Sequence, residues 1–297
     1  MNSSRITEIE QWAMFLVTGV AMELYMTPKP GLVDLEDCGS HHDLSLATME
    51  RSIRIIAEYL DQLCRSLASG EDFARQAAIG RRSERAMLDS LGTNTHKGYL
   101  FLSGLLLVAR WRAPLANEQG LREQIATLAW EFFAAQGEQA THGRRQRLLH
   151  GSGGIVREAL NGLPALFDEA VPAYLAAMER HGHPKIASFA MLARLMQSVD
   201  DTTALHRCGT MGLSRIRRDG RNLERIIALE EECEPFLHDL NREYVRMNLT
   251  MGGVADMLGL SYGYLLACGC LLGVPGRNTP FERKSGRQNP FGLSGAA

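Results

Sequence analysis

The chain has 297 residues, is 45% hydrophobic and 22% charged, and carries a formal net charge of −2. That length accommodates one large domain or two modest ones with a substantial core. The near-neutral balance excludes a global attraction to nucleic acid or anionic membrane, so any polyanion site must be local.

Helical periodicity dominates from the start. Residues 5–26 place Ile9, Met14, Leu16, Val17, Val20 and Leu24 broadly on one face before Pro28 stops the helix. A second helix carries Leu46, Met49, Ile53, Ile56, Leu60 and Leu67 at helical spacing, with Asp43 or Ser45 as its cap and Gly70 at its end. Further helices are predicted over 71–90, 96–112, 118–137, 155–180, 185–198, 203–218, 221–240 and 253–272. Runs of alternating β-branched residues are absent, and Ala, Leu, Met and Arg, all good helix formers, abound. The expectation is an all-α, single multi-helix globular domain over residues 1–274, with polar inter-helix loops converging on one pocket. From 275 to 297 the periodicity is lost, which predicts a mobile tail.

Two apolar stretches resemble membrane segments and are read as core helices. "GYLFLSGLLLVA" is too short to span, and "GVADMLGLSYGYLLACGCLLGV" contains Asp256 and many glycines. None of the six cysteines forms a C-x-x-C pair, and the first residues have no signal-peptide apolar region. The expected location is cytoplasmic, with no membrane or nucleic-acid partner.

The chemistry-bearing residues fall in five breaks between helices. "TPKPGLVDLEDCGSHHD" (27–43) holds Lys29, Asp34, His41 and Asp43, and "GTNTHKG" (92–98) holds Asn94, His96 and Lys97. "THGRRQRLLHGSGGIVREA" (141–159) places glycines before Arg157 and Glu158. "SVDDTTALHRCG" (198–209) contributes Asp201, His206 and Arg207, and "NLTMGGVADML" (248–258) contributes Gly252, Gly253 and Asp256. Each alone has a plain structural reading. Asp200 or Asp201 suits a helix N-cap, Asp256 suits a first turn, and "RRQR" suits a solvated surface. Together they supply carboxylates, imidazoles and cations at glycine-flanked helix starts, where backbone N–H groups favour phosphate. No H-E-x-x-H or E-x-x-H pattern points to a transition metal, whereas dispersed aspartates suit Mg²⁺ with substrate phosphates in its shell. Walker, Rossmann and kinase signatures are missing, so the residues by themselves suggest a phosphorylated-metabolite enzyme outside the common nucleotide folds.

These five blocks resemble those of the triphosphoribosyl-dephospho-CoA synthases. "ELYMTPKPGLVDLEDCGSHHD" is similar to the family's E-x-x-x-T-P-K-P-G-L-V-D followed by G-[AS]-H-x-D, and "GTNTHKGYLF" to its G-x-N-T-H-K-G block. "GSGGIVREALNGLPAL", "DDTTALHRCG" and "NLTMGGVADML" are looser matches to three further blocks, and the likeness runs from Glu23 to about Gly273. The resemblance implies an all-α enzyme that transfers the triphosphoribosyl group of ATP to the ribose 2′-hydroxyl of 3′-dephospho-CoA and releases adenine. The product would serve the acyl carrier protein subunit of malonate decarboxylase or citrate lyase through a carrier-protein transferase. A homodimer is compatible with the sequence.

Carried over by position, the resemblance makes Asp34, Asp43, His96 and Asp201 the catalytic candidates. Lys29, His41, Asn94, Lys97, Arg157, His206, Arg207, Gly252 and Gly253 become substrate- and phosphate-binding candidates, with Asp201 and Asp256 for Mg²⁺. His96 and His41 suit acid–base work because imidazole titrates near neutral pH. Glu23 and Glu158 match family carboxylates. The chain departs from the pattern at Val156, Thr203, Cys208 and Met251. A changed hydrogen-bonding set alters which substrates a polar site accepts. The competing readings are therefore a divergent helical glycosyl transferase or nucleosidase with another acceptor, and a non-catalytic nucleotide- or CoA-binding protein.

Overall fold

The computed structural model describes residues 3–135 and 153–271. Eleven α-helices and no strand occur among them. In chain order they are α1 (Ser3–Tyr25), α2 (Leu46–Ala68), α3 (Phe73–Leu91), α4 (Lys97–Arg112), α5 (Glu118–Ala134), α6 (Gly154–Leu160), α7 (Val171–His181), α8 (Pro184–Ser198), α9 (Thr202–Ala228), α10 (Cys233–Met247) and α11 (Gly252–Ala267). The all-α expectation holds. The predicted tail over 275–297 and the "RRQR" run lie outside the described residues. No helix among the described residues is long and apolar enough to cross a membrane.

Two helices are apolar nearly all round and fill the centre, as such helices do in a large core. On α11, Val254, Met257, Leu258, Leu260, Tyr262, Leu265 and their neighbours are buried, and α4 buries its residues from Gly98 to Ala109 except Phe101. α1 and α11 make the most extensive helix pair. Their backbones approach at Gly19, where an added Cβ would stand 2.5 Å from Gly259 O and 2.7 Å from the Gly263 Cα. The outer helices are amphipathic. α2 buries Ser52, Ile56, Tyr59, Leu60, Leu63 and Leu67 along one stripe and is capped by Ser45, whose Oγ accepts from Thr48 N at 3.2 Å. Each buried Leu or Ile of such a stripe contributes about 1.5–3 kcal/mol by leaving water.

Several boundaries differ from the predicted ones, and the predicted 221–240 helix is broken at 229–232 between α9 and α10. The expected break between 218 and 221 does not occur: α9 continues through Gly220, which faces the Ala193 carbonyl and Met196, so it permits close packing of α8 on α9. The interruption comes earlier, at Gly209 (φ 64°, ψ −164°), which kinks α9. The predicted 155–180 helix is three pieces, because Gly162 and Leu163 both take positive φ ahead of Pro164. The chain then resumes through a π-helical turn (Ala165–Ala170) into α7.

Candidate active site

The link from α1 to α2 passes through the interior. Pro28 to Asp34 are all buried, with a cis Thr27–Pro28 peptide. Its polar groups have partners, as buried backbone requires. The Asp34 carboxylate accepts from the backbone N–H of Lys29 (3.0 Å), Glu36 (2.8 Å) and Asp37 (3.3 Å), which closes the loop on itself. Gly31 has φ +70° and lies so close to Leu249 O that a side chain there would overlap it. The loop is thereby pressed against the turn before α11, where Ser40 Oγ donates to Leu249 O at 2.6 Å.

His41 sits where three of the five breaks meet. Its Nε2 is 2.9 Å from Thr250 Oγ1 and its Nδ1 is 3.3 Å from an Arg207 N–H, while Arg207 also donates to Ser40 O (2.7 Å) and Asn248 Oδ1 (3.1 Å). Burial, then the Arg207 charge, push the His41 pKa down to about 4. His41 is therefore neutral at physiological pH. Asp43, 3.9 Å from the ring, is exposed.

"GTNTHKG" closes α3 and opens α4. Gly92 ends α3 in the left-handed conformation. Asn94 Nδ2 donates to Glu84 Oε1 (3.2 Å), which also pairs with Lys97 Nζ (2.5 Å) at the surface. Asn94 Oδ1 is buried without a partner. His96 is buried, with Nδ1 2.6 Å from Ser52 Oγ on α2 and 3.3 Å from Thr95 Oγ1, and Nε2 buried without a partner. Burial first and the nearby Lys29 charge second lower its pKa to about 3.

Beside this lies a buried charge cluster. Lys29 Nζ donates to the Glu23 carboxylate (2.5 Å) and to the Glu23 carbonyl, at the end of α1. Asp201 caps α9, accepting from Ala204 N at 2.8 Å, and its second oxygen accepts from Val254 N at 3.0 Å in the first turn of α11. One carboxylate thus joins two helix N-termini, where the dipoles favour negative charge. Gly253 lets it approach, since a Cβ there would be 3.1 Å from Asp201 Oδ2. Asp256, one turn further along α11, keeps some exposure as a residue, but its carboxylate lies against Gly98 of α4, and it accepts from the Tyr99 backbone N–H. Glu23, Asp201 and Asp256 all have raised pKa values, with burial the first cause; for Asp256 the neighbouring charges of Glu23 and Asp201 add to it. Three carboxyl groups beside one lysine in a low-dielectric place resist full ionisation, and a cation or a developing positive charge brought near them would favour their charged forms.

Arg157, on α6, pairs with Asp200, which Arg217 also holds, and Gly154 packs against Thr202. Gly252 packs against Thr203. His206 is exposed on α9. The interior group thus comprises Lys29, Asp34, His41, His96, Asp201 and Asp256, with Arg207, Gly252 and Gly253 at its edge. Lys97, Asp43 and His206 stand at the surface. Sequence reasoning missed Ser52, Thr95, Tyr99 and Thr250. Ser52 carried a signal, as a polar residue on the apolar stripe of α2.

Among the described residues no group of three or more His, Cys, Asp or Glu side chains is arranged to hold a metal ion. A divalent ion here would need further ligands from a bound substrate, as Mg²⁺ commonly takes from phosphates. The neutral His96, with an unmet hydrogen-bonding nitrogen, adds a group suited to a polar ligand.

The sequence profile of the ATP:dephospho-CoA triphosphoribosyl transferase family matches residues 9–268. The chain is also 30% identical over 261 residues to 2-(5''-triphosphoribosyl)-3'-dephosphocoenzyme-A synthase of Klebsiella pneumoniae, covering 81% of this chain and 85% of that protein. No solved structure matches the chain. The match takes in α1 from Ile9 onward, every later helix described above, and Glu23, Lys29, Asp201 and Asp256: this chain belongs to the ATP:dephospho-CoA triphosphoribosyl transferase family, a family of transferases.

Proposed function

We propose that the protein transfers the 5-triphosphoribosyl group of ATP to the ribose 2′-hydroxyl of 3′-dephospho-CoA and releases adenine. Family membership supports the reaction. The observation that carries it to this interior is the excess of carboxylates, Glu23, Asp201 and Asp256, around the single lysine Lys29. In the transfer, the bond between the anomeric carbon and adenine N9 breaks with its electron pair leaving on adenine. The acceptor oxygen bonds to the anomeric carbon, and the hydroxyl proton ends on the departing base. The sugar becomes positively charged in between, and preorganised carboxylates lower the energy of that state.

Asp256 is the best placed for this role, because it accepts one backbone N–H, from Tyr99, whereas Asp201 accepts two and Asp34 three. Arg207 and the helix starts around Gly252 and Gly253 suit the triphosphate. The donor set fits Mg²⁺ carried in on that triphosphate, since Asp256 crowded by Glu23 and Asp201 gains from a cation; Asp256 and Asp201 would hold it, and it would neutralise phosphate charge. The product would feed the prosthetic group of an acyl carrier protein subunit of malonate decarboxylase or citrate lyase. The test is purified protein with ATP, Mg²⁺ and dephospho-CoA. Adenine and a mass-shifted CoA product are expected. Neither appearing would refute the activity, and adenine from ATP alone would mark a nucleosidase.

A further inference from the structure

Among the described residues, two of the few buried side-chain polar atoms left without partners belong to residues two positions apart in the sequence, Asn94 Oδ1 and His96 Nε2. Such atoms cost free energy in a folded chain unless something meets them, and here a ligand is the natural candidate. What each can offer follows from its other contacts. Asn94 Nδ2 faces the Glu84 carboxylate, which needs a donor, so the orphan is the carbonyl oxygen, an acceptor. His96 Nδ1 is 2.6 Å from Ser52 Oγ, and Thr95 Oγ1 donates to the same Ser52 oxygen at 2.5 Å. With the Thr95 proton directed at it, Ser52 has one proton to place. Its alternatives are the thioether of Met87 at 3.4 Å, a weak acceptor, and the imidazole nitrogen, a strong one. Donation to Nδ1 puts the ring proton on Nε2.

We propose that Thr95 and Ser52 form a hydroxyl relay that locks His96 in the Nε2–H tautomer, so that His96 donates to a ring nitrogen of a bound adenine base. Ser52 and Thr95 are positioning residues. One ligand that met both orphans would be a base rather than a phosphate: a phosphate offers only acceptors and would leave Asn94 Oδ1 unmet. The amino and ring-nitrogen edge of adenine offers one donor and one acceptor, as asparagine exploits on DNA. A donor to a ring nitrogen also stabilises the electron pair that the base carries away. The adenine contact rests on the transferase reading; the relay does not.

The experiment is long-range ¹H–¹⁵N NMR of the full chain labelled at its nine histidines, with His96 assigned from its loss in His96→Gln. At neutral pH the Nδ1 signal should be unprotonated and the Nε2 signal protonated. Ser52→Ala, checked for folding by circular dichroism, should admit the Nδ1–H form. A protonated Nδ1 in the wild type overturns the relay, and that measurement decides even where the variant does not fold. Adenosine at millimolar concentration should move the Nε2 signal, and inorganic tripolyphosphate should leave it in place. A response to tripolyphosphate only, or to neither, overturns the base contact, the second result pointing to an internal water as the partner. Failure to release adenine from ATP and dephospho-CoA would end the transferase reading while leaving both NMR results standing.

Discussion

Gly98→Ala tests whether the carboxylate of Asp256 is held by shape. Gly98 lies in the first turn of α4, in ordinary helical conformation, so alanine imposes no backbone strain. The new methyl would overlap Asp256 Oδ2, stand 3.0 Å from its Cγ and 3.2 Å from Ile155 Cδ1. Asp256 cannot yield freely, because it accepts the Tyr99 N–H and has Glu23 and Asp201 nearby. Overpacking costs roughly 1–3 kcal/mol, and losing a hydrogen bond to a charged group about 1.5–3 kcal/mol. Alanine's helix preference returns at most about 1 kcal/mol. The net expectation is about 2–4 kcal/mol of lost stability, read by urea denaturation, and a larger proportional loss of adenine release. Displacing a charge-stabilising group typically costs about 10²–10³ in kcat. A Gly98→Ala protein as stable and as active as the wild type would show that Asp256 is neither fixed here nor needed.

Three further outcomes are expected. Lys29→Met leaves Glu23 buried without its cation, at a cost of roughly 3–5 kcal/mol; the loss should shrink between pH 8 and pH 5.5, because a protonated Glu23 needs no partner, and equal losses at both pH values would contradict the pairing. Gly19→Ala drives a methyl into the backbone of α11, so it should lower Tm by several degrees with no residue of the cluster touched; an unchanged Tm would disprove the tight α1–α11 seam. The third concerns pH. A histidine with a folded pKa of about 3 against about 6.5 unfolded takes its proton first in the unfolded chain, so His96 destabilises the fold as pH falls below about 6.5. Its share at pH 5 is about 2 kcal/mol. The raised carboxylates act the other way, losing their stabilising protons as pH rises. The difference between wild type and His96→Gln therefore isolates the histidine: stability should fall less steeply from pH 7 to pH 5 in the variant, and parallel curves would place His96 in water.

Much of the fold was legible because helical periodicity is local. The stripe on α2, the stop at Pro28 and the cap at Ser45 depend on residues within a few turns of one another, and the structure keeps them. At Gly220 a contact from elsewhere overrode the local signal. Gly220 reads as a break in sequence, yet it is a packing surface for α8, a fact about residues more than twenty positions away. The predicted 155–180 helix failed for a local reason instead, the positive φ of Gly162 and Leu163 just ahead of Pro164.

The same division applies to the site. The five polar breaks and their glycines were visible in the sequence, and the family with them. The sequence by itself also determined which side chains are available: the aspartates Asp34, Asp43, Asp201 and Asp256, the imidazoles His41, His96 and His206, and the cations that flank them. Only the tertiary structure decided what state each is in. Asp34 and Asp201 become backbone anchors because loops and helix starts separated by up to 53 residues close around them. Glu23 becomes a buried partner of Lys29, and His96 becomes neutral because the packed helices bury it, with the Lys29 charge near as the second cause. Proton affinity depends on solvent exclusion and on charges brought near in space, and neither is encoded at fixed spacing along a chain.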